Sequence, residues 1–196
     1  LHAAAWADRT KAAELLIPAG ADLSAQDGEK LAPLHIAAYR GNEALAAALL
    51  KAGAKADAAG KYDRTALHWA IERGHVSLAG RLVEAKAPVN AADDRGQTAL
   101  HLAVARGREK LVRLLLAAGA DVTARDAKGH NVLHLAVAAR TQPVFELLMR
   151  QKGLAPDAAD ADKLTPLHAA CIAGNAPAAR ALLARKANVN AVGKFE

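Results

Sequence analysis

Aromatic side chains are scarce in this chain of 196 residues: two Trp, two Tyr and two Phe, or 3%. An interior with so few rings is not a wide oily core. Serine occurs only as Ser24 and Ser77, neither in the Gly-x-Ser-x-Gly setting of a nucleophile elbow. The single cysteine, Cys171, excludes a disulfide scaffold and any multi-thiolate metal site. No stretch approaches the ~18 apolar residues that a membrane-spanning helix needs. Glycine-rich phosphate loops are missing too, so nucleotide binding has no support. No motif for catalysis remains, and the expectation is a non-enzymatic protein without cofactors.

Alanine is what the chain has in excess. It supplies 53 residues, about half of a hydrophobic fraction of 53%. Small side chains in that number imply a thin, repeated layer of closely approaching helices. Charged residues make up 23%, with both signs interspersed, which argues against wholesale disorder.

The layer is periodic. Leu-His recurs at Leu1-His2, Leu34-His35, Leu67-His68, Leu100-His101, Leu133-His134 and Leu167-His168, with steps of 33, 33, 33, 33 and 34. An alanine follows each histidine by two residues, and an apolar pair such as Leu49-Leu50 or Leu115-Leu116 follows by fourteen and fifteen. Each period reads as one supersecondary unit. Thr65, Thr98, Thr165 and Asn131 stand three residues before their histidines as N-caps, a position where Ala32 offers no acceptor. A short first helix runs to Gly41, Gly74, Gly107 or Gly174. A second helix follows, with Pro143 and Pro177 in its first turn, and a polar connection closes the unit. No unit could bury its apolar face alone, so neighbours must stack.

Thr165-Pro166-Leu167-His168-Ala169-Ala170, the glycine after the first helix, the Leu-rich second helix and the closing Ala118-Gly119-Ala120-Asp121-Val122 together resemble the ankyrin repeat. The resemblance covers essentially the whole chain. It implies an all-α ankyrin-repeat solenoid: helix-turn-helix units in a right-handed stack, with hairpin-like finger loops beside a concave groove. It implies one domain over residues 1–196, with repeats anchored at His2, His35, His68, His101, His134 and His168. It also implies protein–protein recognition. Asp8, Arg140, Lys86 and Lys186 depart from the pattern where it carries glycine, and Gly60 and Asp63 replace the Asp and Gly of one finger. The fifth repeat has one extra residue between Met149 and Gly153, which is expected to bulge or loosen the stack. Leu1 opens in mid-motif and Lys194-Phe195-Glu196 stops inside a hairpin, so flanking sequence is expected beyond both ends. This irregularity suits a natural protein, and the Ala, Leu and Arg usage suits a high-GC bacterial gene.

Eight histidines invite a metal hypothesis. Successive rungs of a helix stack lie roughly 8–10 Å apart, whereas Zn ligands sit about 2 Å from one ion. The expectation is therefore no metal; the resemblance implies that each histidine bonds near its helix start and ties neighbouring hairpins. His130 precedes His134 by four residues but belongs to a hairpin. Cys171, three residues after His168, reads as a buried small hydrophobe, and Trp69, directly after His68, as core.

The formal charge is +6, with 26 basic and 20 acidic residues. Arg40, Arg73 and Arg106 recur five residues after their histidines and would form a column of roughly 20 Å over three repeats. One residue earlier stand Trp6, Tyr39 and Glu72, and in the family these two positions face the groove. Tyr62 and Arg64 join them from a nearby finger, with Arg95 and His130 further along. Arginine and aromatic residues dominate binding hot spots. The expected partner is thus a protein with an acidic or mixed acidic–apolar surface, taken by a monomeric adaptor, inhibitor or immunity-type protein. The competing account treats these arginines as ordinary solvated side chains shielding alanine-rich helices. Nucleic acid or another anionic surface is the rival class, but Glu72, Asp94 and Glu43 interrupt the basic field, and the fingertips Asp93 and Asp126 add negative charge. A lone thiol suits the cytoplasm and leaves periplasmic or secreted settings open, since a signal peptide would lie upstream of Leu1.

Overall fold

The computed structural model describes residues 1–194, which form twelve α-helices. The last part of the expected hairpin at Lys194-Phe195-Glu196 lies outside the described residues. The helices pair in chain order: α1 (His2–Trp6) with α2 (Thr10–Leu16), α3 (Pro33–Arg40) with α4 (Glu43–Lys51), α5 (Ala66–Arg73) with α6 (Val76–Glu84), α7 (Ala99–Ala105) with α8 (Glu109–Ala117), α9 (Val132–Ala138) with α10 (Gln142–Met149), and α11 (Pro166–Ile172) with α12 (Ala176–Ala184). The chain divides into two compact units, Leu1–Asp94 and Arg95–Glu196. In the first unit α3 packs between α1 and α5, while α4 packs between α2 and α6. In the second, α9 packs between α7 and α11, and α10 packs on α8.

The helices start where the sequence says, though not always by the expected bond. Asn131 accepts from the Leu133 and His134 amides at 3.1 and 3.3 Å, and Thr165 from the His168 amide at 3.4 Å. At Thr65 and Thr98 the hydroxyl lies instead 2.9 Å from the histidine Nδ1. The backbone amide of the cap residue also points at that nitrogen, which recovers a bond even where Ala32 has no acceptor: its N–H donates to His35 Nδ1 at 3.0 Å. Second helices have their own caps, with Asn42 accepting from the Leu45 amide at 2.8 Å and Asn175 from the Ala178 amide at 3.2 Å.

Small residues make the layer thin. Ala37, Ala70, Ala103 and Ala136 of the first helices are fully buried, as are Leu45, Leu78, Leu111 and Phe145 of the second. Gly41 shows how close the approach is. It takes φ +78° to end α3, and a Cβ there would sit 2.5 Å from the His75 ring. Elsewhere the turn geometry outlasts the glycine: Asp8, Arg140, Lys86 and Lys186 adopt φ between +52° and +61° in its place. That conformation carries a steric cost for a residue with a Cβ. The extra residue of the fifth repeat goes into the turn after α10, which has eight residues where α4, α6, α8 and α12 have nine.

Cys171 corrects the expectation of a buried small residue, because it is exposed. The equivalent Ala38 and Val137 are fully buried, since α5 packs on α3 and α11 on α9. Among the described residues no further first helix follows α11 to cover Cys171. No helix among the described residues is long and apolar enough to cross a membrane.

Candidate partner-binding surface

The histidine ladder ties first helices to their fingers. An N–H can only donate and a carbonyl can only accept, so the bond to Nδ1 leaves the proton on Nε2. Nε2 then donates across to a carbonyl of the adjoining finger: His35 to Ala58 at 2.9 Å and His134 to Leu164 at 3.0 Å, while His2 reaches Ala25 and Leu31 at 2.9 and 3.0 Å. Burial holds His35 and His134 below the usual imidazole range, against the opposing pull of those carbonyl bonds. Both nitrogens of these rings are thereby engaged with the fold.

Finger loops stack through their own backbones. The Asp94 amide donates to Tyr62 O at 3.0 Å in the first unit; Ala127 donates to Arg95 O at 2.8 Å and Ala161 to Lys128 O at 3.0 Å in the second. An aspartate shapes most fingers. Asp27, Asp126 and Asp160 each use Oδ1 to accept the amides two and four residues on, at 2.8 to 3.0 Å. Gly60 lacks that carboxylate, and its finger forms a single 3-10 turn over Lys61–Asp63, with Tyr62 and Asp63 at positive φ. A Cβ at position 60 would come within 2.7 Å of Lys30 O. The substitution thus trades the aspartate's bonds for close approach to the preceding finger.

In the first unit this frame assembles an aromatic ladder. Trp6 meets Tyr39 edge-to-face at 5.9 Å, and Tyr39 meets Trp69 in the same manner at 5.7 Å. Trp6 Nε1 donates to Asp27 Oδ2 at 3.3 Å. The Arg73 guanidinium lies 4.7 Å above the Tyr39 ring, and Arg64 lies 5.2 Å from the Trp69 ring and 6.0 Å from Tyr62. Lys61 sits 5.1 Å from the Tyr62 ring. Such stacking orients a cation and leaves its edge free for hydrogen bonds.

These side chains differ in what they present. Trp6, Arg40, Tyr62 and Arg73 are exposed, with Arg40 and Arg73 closing α3 and α5. Arg64 is spent internally: it bonds Asp93 at 3.1 Å, with Glu72 at 3.9 Å on its other side. Asp93 is buried, which corrects its placement at an exposed tip; its charge is matched by Arg64. Trp69 is 8% exposed, as core packing requires, yet it also terminates the ring ladder. That second role was invisible from one register position, because the edge contact joins residues 30 apart. Lys61 was missed for a similar reason: only the fold of the irregular finger sets it against Tyr62.

Arg95, Arg106 and His130 belong to the second unit. Arg95 is exposed on a finger and Arg106 just after α7. His130 lies between two fingers, with Nδ1 3.3 Å from Asp126 Oδ2 and Nε2 3.5 Å from Asp160 Oδ2. Its ring is 5.6 Å from that of His134. Among the described residues no group of three or more His, Cys, Asp or Glu side chains is arranged to hold a metal ion.

Stacked helix pairs, a histidine at each first helix and backbone-linked fingers define a repeat solenoid that displays side chains from a regular frame. A family model for ankyrin repeats matches in three copies, over residues 1–93, 34–126 and 124–193, and the chain belongs to the ankyrin-repeat family. Ankyrin repeats are generally protein–protein interaction modules and typically non-enzymatic scaffolds. No curated protein matches the chain.

Proposed function

We propose that the chain is a monomeric, single-domain adaptor or inhibitor that takes a protein partner with an acidic or mixed acidic–apolar surface. The observation that carries this reading is the exposed Arg73 guanidinium over Tyr39, braced edge-to-face by Trp6 and Trp69. Arg40 at the equivalent place on α3 adds a second exposed cation. Trp6 and Tyr39 supply rigid apolar area over the buried Trp69, Arg73 is already oriented, and little ordering cost is left to binding. Tyr62, Arg95, Arg106 and His130 extend the set of candidate contacts, while Arg64 and Glu72 shape its base.

The test is affinity capture with the intact chain and with Arg40→Glu/Arg73→Glu. One protein retained by the parent and lost from the double variant is the expected result, with at least about tenfold weaker binding, the cost of a single unpaired interfacial charge. Unchanged capture overturns the site. A fall of several orders of magnitude in binding between 50 and 200 mM salt would instead mark a nucleic-acid ligand. Sedimentation at the monomer mass of 20.3 kDa is expected, with one unfolding transition.

A further inference from the structure

The positions that carry rings in the first unit carry aliphatic side chains in the second, two of them alanines. Directly after the ladder histidines stand Ile36 and Trp69 in one unit, Leu135 and Ala169 in the other. Four residues after them stand Trp6 and Tyr39 in one, Ala138 and Ile172 in the other. The second set leaves a hollow of about 260 Å³ on α9 and α11, floored by Leu135, Ala138, Leu164, Ala169 and Ile172. Ile172, on the last described first helix, is 68% exposed.

Size and chemistry narrow the occupant. The volume lies at the lower edge of the roughly 300–1,000 Å³ that small-molecule ligands fill, and the lining of Leu135, Ala138, Leu164, Ala169 and Ile172 suits an apolar side chain. The polar end is closed to a cation. Asp126 and Asp160 each spend one oxygen on two backbone amides and turn the other toward His130. Charge points to an acidic partner. The first unit has 11 basic and 12 acidic residues, whereas residues 95–196 have 15 basic and eight acidic, so the whole positive excess lies in the second unit. Exposed Lys128 and Lys163 sit on the two fingers that bring His130 and Leu164 to the hollow, and Arg140 bonds the Ala173 carbonyl at its edge.

We propose that this hollow is an anchor pocket for one apolar side chain, of leucine or phenylalanine size, carried on an acidic segment of a partner protein. It rests on the reading of the chain as a protein-binding module, but it uses a different unit from the Arg73–Tyr39 surface. Burying such an anchor is worth roughly 10- to 150-fold in affinity.

The probe is a short fluorescent peptide of Asp and Glu with one central Phe, titrated against the full chain by anisotropy. Saturable binding is expected, at least about tenfold weaker when Phe is replaced by Gly and weaker again when the acids are replaced by Lys. Ala138→Trp fills the hollow from an exposed position and should abolish binding. Ile172→Asp, at a solvent-facing site, should weaken it with an unchanged melting temperature. Arg40→Glu/Arg73→Glu should leave peptide binding intact, which separates failure of this pocket from failure of the other surface. Absence of saturable binding, equal affinity for the Phe and Gly peptides, or no effect of either pocket substitution overturns the proposal.

Discussion

The two units use one repeat to build opposite surfaces. In the first, rings occupy the outward register of the first helices and support Arg73; in the second, Ala138 and Ala169 leave that register open. The buried frame differs little between them. His35 and His134 make equivalent bonds to their helix starts and to the next finger. Ankyrin-type repeats thus separate two tasks: buried positions keep the spacing, and exposed positions vary without disturbing it. Charge follows the same division, near balance in the first unit and strongly basic in the second.

The sharpest way to break this comparison is to attack the frame that both units share. His35→Ala and His134→Ala should each cost about 2–4 kcal/mol, because each strands a buried amide and a carbonyl and leaves a cavity. Denaturant unfolding measures both, and a loss confined to one unit's variant would show that the frame is not shared. The ring ladder comes next. Tyr39→Ala removes two edge-to-face contacts and the Arg73 stack, for about 2 kcal/mol. Ala138→Ser, at the same register in the second unit, should stay within about 0.5 kcal/mol. Equal effects at the two sites would erase the contrast between filled and open surfaces.

Acid should act on both units in the same direction. Burial depresses His35 and His134 in the folded chain, so the unfolded chain takes up their protons first. Stability is full above the unfolded imidazole value of about 6.5 and falls as pH drops through it toward the folded values. Melting temperature recorded between pH 7.5 and 5 should decline, and His35→Gln should flatten part of that decline. A melting temperature that rises on acidification would contradict the buried neutral rings. The smallest effect is expected at the exposed thiol. Cys171→Ser should shift stability by less than about 0.5 kcal/mol, and Cys171 should react with a maleimide in the native chain.

Much of this was legible in the chain alone. The 33-residue recurrence of Leu-His marked every first helix, Pro143 and Pro177 marked two second helices, and Arg40 and Arg73 close α3 and α5 as exposed residues. Asp93 and Cys171 were misplaced because exposure depends on what packs above a residue. Arg64 covers Asp93 from 29 residues away, whereas no described first helix follows α11 to cover Cys171.

The amino-acid sequence by itself determined the repeat, its helix pairs and the histidine at each rung, since these follow from short-range spacing and small residues in register. Tertiary structure alone decided that Trp69 meets Tyr39, that Arg64 is consumed by Asp93, and that alanines in the second unit open a hollow instead of a flat face. Each of these depends on side chains brought together from different repeats, where packing geometry sets the distance and linear spacing does not.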